Sequence, residues 1–277
     1  MTMKVRRHRL YLGDEPVAFS RSPNTGGELT ASYLIVHYTA GSSAEASVNW
    51  LTNPDARASA HLVIGRDGTI TQLVAFNRVA WHAGASQWEG LRGLNQHSIG
   101  MELDNAGRLE QKGGEWCAWF GRAYGPDAVM HACHRNESVT CGWHVYPPAQ
   151  IETARRVAEV LIAKYRLKGI AGHDEISPGR KVDPGPAFPM GSFRDHLFGR
   201  GEQTHPIYRT LTGLNIRTGP GTGYAPLPEG PLPKHARVEL HEERGRWYYV
   251  ARCDHSDTEP EVVGWVHSAY LAREDGS

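Results

Sequence analysis

The chain has 277 residues with 30 basic and 30 acidic side chains, so its formal net charge is zero, and 40% of its residues are hydrophobic against 22% charged. That balance argues against nucleic acid or an anionic membrane surface as the main partner, and the length suits one large or two smaller domains, each with its own core. No apolar run reaches the roughly 18 residues that a spanning helix needs, and "LYLGDEPVAFS", after a basic opening, is too short and too charged for the apolar part of a secretory signal.

In chain order, "KVRRHR" at 4 to 9 reads as a solvated terminal arm. "SYLIVHYT" at 32 to 39 is a continuous apolar run and predicts a buried strand, and in the "GSSAEASVNWL" that follows, Ser42 and Glu45 form a capping-box arrangement that starts a helix. "SAHLVIGRDGTITQLV" at 59 to 74 predicts two strands turning at Asp67-Gly68, with His61 a core histidine among apolar neighbours. "SIGMELDN" at 98 to 105 predicts a strand with Ile99, Met101 and Leu103 on one face and Gly100, Glu102 and Asp104 on the other.

Between 107 and 146, Trp116, Trp119, Phe120 and Tyr124 fall at helical spacing and predict a packing face, while "HACHRNESVTCGWHVY" reads as a long loop. Apolar positions Ile151, Ala154, Ala158, Leu161, Ile162 and Tyr165 predict an amphipathic helix over 148–167, opened by prolines and closed by Gly169. "FGRGEQTH" reads as a linker, and short strand-like runs between Gly and Pro follow it. The expected architecture is α/β: a mixed central sheet flanked by helices over 1–197, a linker over 198–205 and a small all-β domain over 206–277.

Three polar residues have little structural work in these elements. His37 closes an apolar strand, Glu102 interrupts another, and His173 follows the short strand-like "KGIAG"; strand ends along one sheet edge are where open folds build sites. Asp183 lies ten residues after His173, and Pro184 favours an extended backbone that turns Lys181 and Asp183 to the same side. Two imidazoles and a carboxylate are a catalytic zinc set with one position left for water. Glu102 can then move the proton and Lys181 steady an oxyanion, so amide hydrolysis is the reaction expected. The four cysteines contain no Cys-x-x-Cys pair, and Cys133, His134, Cys141 and His144 fit no zinc spacing, so free or locally paired thiols are expected.

"IVHYTAG", "SAHLVIGRDGTI", "AWHAG", "SIGMELDN" and "GHDEISPGRKVDPGPAF" occur here in the order seen in type 2 N-acetylmuramoyl-L-alanine amidases, and the resemblance covers roughly residues 30 to 195. The resemblance implies a zinc enzyme that cuts the amide between N-acetylmuramic acid and L-alanine of peptidoglycan, with His37, His173 and Asp183 on Zn2+ and Glu102 and Lys181 in catalysis. Tyr38, Thr39, Trp81, His82 and Asn95 lie in or beside the same motifs and are expected to line the groove for glycan and stem peptide.

"LTGLNIRTGPGTGYAPL", "RWYYVARC" and "GWVHSAYL" resemble the bacterial SH3-like fold, which implies a wall-binding module. The partners expected are peptidoglycan and, for a secreted effector, an immunity or inhibitor protein; nucleic acid and a membrane span are not expected, and the chain is expected to be a monomer. Without a signal, a phage holin or a secretion system would bring the protein to the wall as an endolysin or antibacterial effector. Two other readings stay open, a non-catalytic peptidoglycan receptor of this fold and a cytosolic muropeptide-recycling amidase, whereas a cysteine peptidase of the wall is disfavoured because Cys117, Cys133 and Cys141 lack the motif context such a nucleophile needs.

Overall fold

The computed structural model describes residues 2–198, 206–254 and 262–274. It divides into two compact units, Met1–Phe198 and Gly199–Ser277. Of the expected linker, residues 199–205 lie outside the described residues, and Phe198 ends a helix.

A six-stranded sheet organises the first unit, in the spatial order Gly169–Gly172, Tyr33–Tyr38, Ser98–Leu103, Leu62–Ile64, Ile70–Gln72 and Ala18–Phe19. The first four run parallel, Leu62–Ile64 and Ile70–Gln72 form the expected antiparallel hairpin, and Ala18–Phe19 adds a parallel edge. A central parallel strand is covered on both faces, which is why "YLIVH" carries no polar residue until its last position.

Side chains alternate across this sheet. Leu34, Val36, Ile99, Met101 and Leu103 enter the main core, where Ala154, Val157, Ala158 and Leu161 of the long helix α2 (Pro148–Tyr165) meet them. Tyr33, Ile35 and Ala171 face the other way, into a smaller cluster with Ala83, Leu94 and Ile176. His37 therefore continues the row of Tyr33 and Ile35, on the face away from α2.

Several local expectations are corrected. "KVRRHR" is no solvated arm: Met3–Arg6 and Arg9–Leu12 pair as a hairpin whose Met3 and Leu10 are core residues. Its turn residues Arg7 and His8 take φ of 46° and 61°, the left-handed pair that matches the twist of a tight hairpin. Helix α1 (Ala44–Thr52) is capped by Ser43 rather than Ser42, the Ser43 hydroxyl accepting from the Ala46 N–H at 3.1 Å. Helix α2 ends at Tyr165 with Arg166 as a left-handed cap, and Gly169 instead opens the next strand.

The segment from 107 to 146 contains neither an aromatic helix face nor a long loop. It is a five-stranded antiparallel sheet, in the order Ala123–Tyr124, Glu115–Cys117, Arg108–Lys112, Thr140–His144 and Val129–Cys133. The aromatic spacing arises from tight turns between short strands.

The second unit is all β: Val263–His267, Trp247–Arg252, Arg237–Arg244, Ile207–Thr210 and Leu271–Arg273 form one antiparallel sheet. Its own core includes Leu214, Ile216, Leu232, Val238, Val250 and Val266. Among the described residues no helix is long and apolar enough to cross a membrane.

Candidate metal centre

Register brings the first two site residues together. In the parallel pair of Tyr33–Tyr38 with Ser98–Leu103, Glu102 is the partner of His37, so both side chains leave the sheet side by side. On the other flank Gly172 is the partner of Val36, and the next residue, His173, comes abreast of His37 as it opens the short helix α3 (His173–Ile176). Asp183 returns to this point because its carbonyl accepts from the Asp174 N–H at 2.8 Å.

His37 Nδ1, His173 Nδ1 and Asp183 Oδ2 form a near-equilateral triangle, with sides of 2.9, 2.9 and 3.0 Å. All three residues are buried, and they are the one group of potential metal ligands found among the described residues. The Cys133, His134, Cys141 and His144 group does not assemble as one: His134 Nε2 lies 3.0 Å from Asp174 Oδ2, and His144 Nδ1 accepts from the Ala106 N–H at 3.2 Å.

The outer hydrogen bonds assign the tautomers. His173 Nε2 faces the Ala83 carbonyl at 3.1 Å and Arg180 Nη2 at 3.3 Å; the guanidinium hydrogens go to oxygens at 2.7 and 2.8 Å and the carbonyl only accepts, so His173 Nε2 carries the proton. His82 Nε2 faces the Ser98 carbonyl at 3.4 Å and is likewise the donor, which makes His82 Nδ1 an acceptor for His37 Nε2–H at 2.9 Å. In the neutral imidazoles both Nδ1 atoms are then bare lone pairs, aimed at each other and at a carboxylate oxygen. Three converging acceptors repel one another unless a cation sits among them, and a triangle of this size admits one at the roughly 2 Å typical of zinc. The residues fit a metal ion.

Protonation follows the same pattern. Burial, then the charge of His173, lowers His37 to about 4, against the pull of Asp183. Burial alone would raise the Asp183 carboxyl, but the close approach of His173 and His37, whose protonated forms pair with the carboxylate, holds it well below the usual range. Near neutral pH the group offers a neutral His37 and an ionised Asp183.

Glu102 stands apart. Its Oε2 is sealed from solvent and has no hydrogen-bond partner. Desolvation and then the charge of Asp183 push this carboxyl well above its ordinary value, and Lys181 opposes them. Lys181 is half-buried and close enough to act electrostatically on both Glu102 and His37.

The residues expected to line a substrate groove separate into two sets. His82 and Asn95 lie behind the triangle: the Asn95 side-chain carbonyl accepts from the His82 and Ala83 N–H groups at 3.0 and 2.7 Å, holding the loop that supports His37 and His173. Thr39 Oγ1 accepts from the Gly41 and Asn105 N–H groups and ties two strand ends together. Tyr38 packs partly into the main core and its ring rests on Gly107, where a Cβ would come within 2.3 Å. Trp81, at 38%, is the most exposed member of the set.

His61 is the core histidine expected: Nε2–H donates to the Arg78 carbonyl at 2.9 Å and Nδ1 accepts from the Gly100 N–H at 3.0 Å. Arg180 is a positioning residue the sequence reading missed. Its Nη2 donates to the Ala83 and Ala85 carbonyls and the Ser177 hydroxyl at 2.8, 2.8 and 2.7 Å, pinning the 83–85 loop to the end of α3. Only its place inside "SPGRKV" hinted at this role. Asp174 and Glu175 are structural: Asp174 meets His134, and Glu175 pairs with Arg135 and Arg194.

Residues 27–186 match the model of the N-acetylmuramoyl-L-alanine amidase family, and residues 212–272 match that of the bacterial SH3 domain. The 1,6-anhydro-N-acetylmuramyl-L-alanine amidase AmpD of Escherichia coli (strain K12) is 35% identical over 140 residues, 50% of this chain and 57% of that protein. The N-acetylmuramoyl-L-alanine amidase AmiD of the same strain is 33% identical over 165 residues, 56% of this chain and 49% of that one. The chain thus spans about half the length of these relatives. A solved complex of E. coli AmiD with anhydro-N-acetylmuramic acid-L-Ala-D-gamma-Glu-L-Lys aligns with a TM-score of 0.46 at 26% identity, covering 69% of this chain and 64% of that one.

Proposed function

Because this chain belongs to the N-acetylmuramoyl-L-alanine amidase family, we propose that it is a zinc-dependent hydrolase of the amide between N-acetylmuramic acid and L-alanine in peptidoglycan. The observation that carries this reading is the triangle of two imidazole nitrogens and one carboxylate oxygen, with an unpartnered carboxyl on the neighbouring strand. Bound by His37, His173 and Asp183, Zn2+ would lower the pKa of a coordinated water toward about 7 and polarise the scissile carbonyl.

The chain's own groups do the rest. Glu102, desolvated and without a competing hydrogen bond, takes a proton from the attacking water and returns it to the leaving L-alanine nitrogen. Lys181 brings a positive charge to the side of the site where the amide oxygen becomes an oxyanion. His82, Asn95 and Arg180 hold the two imidazoles in their tautomers and directions. The SH3-like unit supports a role on the wall, where a second weak site keeps the enzyme on its polymer, as an endolysin or delivered effector.

The identity to a 1,6-anhydro-muramyl amidase favours a second reading, the recycling of anhydro-muropeptides. Incubating intact sacculi and soluble anhydro-muropeptides with the protein, with and without chelator, and identifying the new ends by mass spectrometry separates the two. Stem peptides with L-alanine amino termini from sacculi, lost on chelation and in Asp183→Ala, support wall hydrolysis. Release from the soluble fragments alone favours recycling, and cleavage within the peptide, or none, sinks both.

A further inference from the structure

The sheet inserted between 107 and 146 leaves one aromatic ring where packing does not require it. Trp116, Phe120 and Tyr124 lie partly buried on Ala106, Leu109, Ala118 and Val129, whereas Trp119 is 70% exposed. The exposed ring is nevertheless held in place. Its Nε1–H donates to the Ala40 carbonyl at 2.7 Å, and Phe120 braces it edge-on at 5.7 Å between centroids. The turn that carries it is closed by bonds from Gly121 N–H to the Ala118 carbonyl and from Ala118 N–H to the Arg122 carbonyl, at 2.9 and 2.8 Å.

This anchor ties Trp119 to the loop that leaves the strand of His37. Ala40 follows His37 by three residues, at most about 11 Å of extended chain, and Arg122 Nη1 donates to the Ser42 carbonyl at 3.1 Å in the same loop. With its one polar atom already satisfied and its edge supported, Trp119 presents a fixed, flat apolar surface anchored to the loop that follows His37. A pyranose has an apolar C–H face of matching size, and an aromatic ring ordered in advance binds it with little further loss of freedom.

We propose that Trp119 is a glycan subsite: it stacks on the N-acetylated pyranose next to the muramoyl unit whose amide is cut, so that this chain recognises at least two sugars of the strand. The proposal rests on the amidase reading and deepens it, naming a specificity-determining residue that the inserted sheet contributes.

The test uses the full chain as wild type, Trp119→Ala and Trp119→Phe, with two soluble substrates that carry the same stem peptide on either N-acetylmuramic acid alone or the N-acetylglucosaminyl-N-acetylmuramic acid disaccharide. Trp119→Ala is expected to raise KM for the disaccharide substrate about tenfold while leaving the monosaccharide substrate within about twofold, and Trp119→Phe to recover most of the loss. Equal loss on both substrates would make Trp119 a mere tether of the 40–42 loop and overturn the proposal, as would no change on either. Calorimetric titration with peptide-free glycan oligomers is a readout independent of turnover. If the wild type cuts neither substrate, the amidase reading fails, and weaker glycan binding by Trp119→Ala than by wild type still decides for the subsite, while equal binding decides against it.

Discussion

A carboxyl that must carry a proton between water and a leaving amine works best when it titrates near the working pH, and Glu102 is pushed in that direction. Burial and Asp183 raise it above 4.5, so the acid limb of the pH–rate profile lies above that value, because the base is lost as pH falls through it. Glu102→Gln is expected to lower kcat by about two to four orders of magnitude and to remove that limb, with zinc content unchanged. A mutant that keeps the limb would assign it to another group. Asp183→Ala acts one step earlier and is expected to lose bound zinc itself, measured by metal analysis of the purified protein.

His61 gives a residue-scale prediction for stability. Burial lowers it from 6.5 to about 4, so between these values the unfolded chain binds more protons than the folded one, and stability falls as pH drops through that window. The full loss is about 3 kcal/mol, reached below pH 4. Urea midpoints at pH 7 and pH 4.5 check it: His61→Gln should show a smaller difference between the two than wild type, whatever its stability at pH 7.

At the scale of elements, the site depends on how closely a loop can approach a strand. A Cβ on Gly100 would come within 2.4 Å of the His82 ring, and the strand cannot yield because it is paired on both sides. Gly100→Ala should therefore displace His82 from His37, weaken zinc binding about 10- to 100-fold and cost about 1–3 kcal/mol. Gly27→Ala, with nothing within 4 Å of its Cβ, serves as the control and should leave both unchanged. Calorimetry and zinc titration on the two variants provide the comparison.

Elements were legible where burial imposes a period. The strand at 33–38, the hairpin turning at Asp67-Gly68 and helix α2 each bury a face whose spacing the chain must obey. The amino-terminal hairpin and the inserted sheet were not legible. Their strands are two to five residues long, too short for an alternation to declare itself, and the 107–146 sheet is closed by the longer-range pairing of Arg108–Leu109 with Gly142–Trp143. Turns between such strands put Trp116, Trp119, Phe120 and Tyr124 at intervals that imitate a helix.

For the whole molecule, the two units have separate cores with no residue in common. A chain ending at Phe198 is expected to fold, to hydrolyse soluble muropeptides with kcat/KM within about twofold of the full protein, and to lose retention on insoluble sacculi, where a second weak site supplies the avidity. Co-sedimentation with sacculi alongside turnover of a soluble substrate tests this. Unchanged retention would remove the wall-binding role from the second unit.

The sequence by itself determined the kinds of group available and where each could stand: a histidine at the end of a buried strand, a glutamate among apolar neighbours, and a His, Lys and Asp in one punctuated stretch. These are legible because a polar residue breaking an apolar period is a local signal. Tertiary structure alone decided that His37 meets residues 136 and 146 positions away with matching lone pairs. It also decided that His82, Asn95 and Arg180 stand behind the triangle of His37, His173 and Asp183, and that Trp119, out of four similar aromatics, stays in the open. Strand register, side-chain tautomer and exposure all depend on non-local pairing, and no spacing along the chain encodes which distant backbone a side chain will meet.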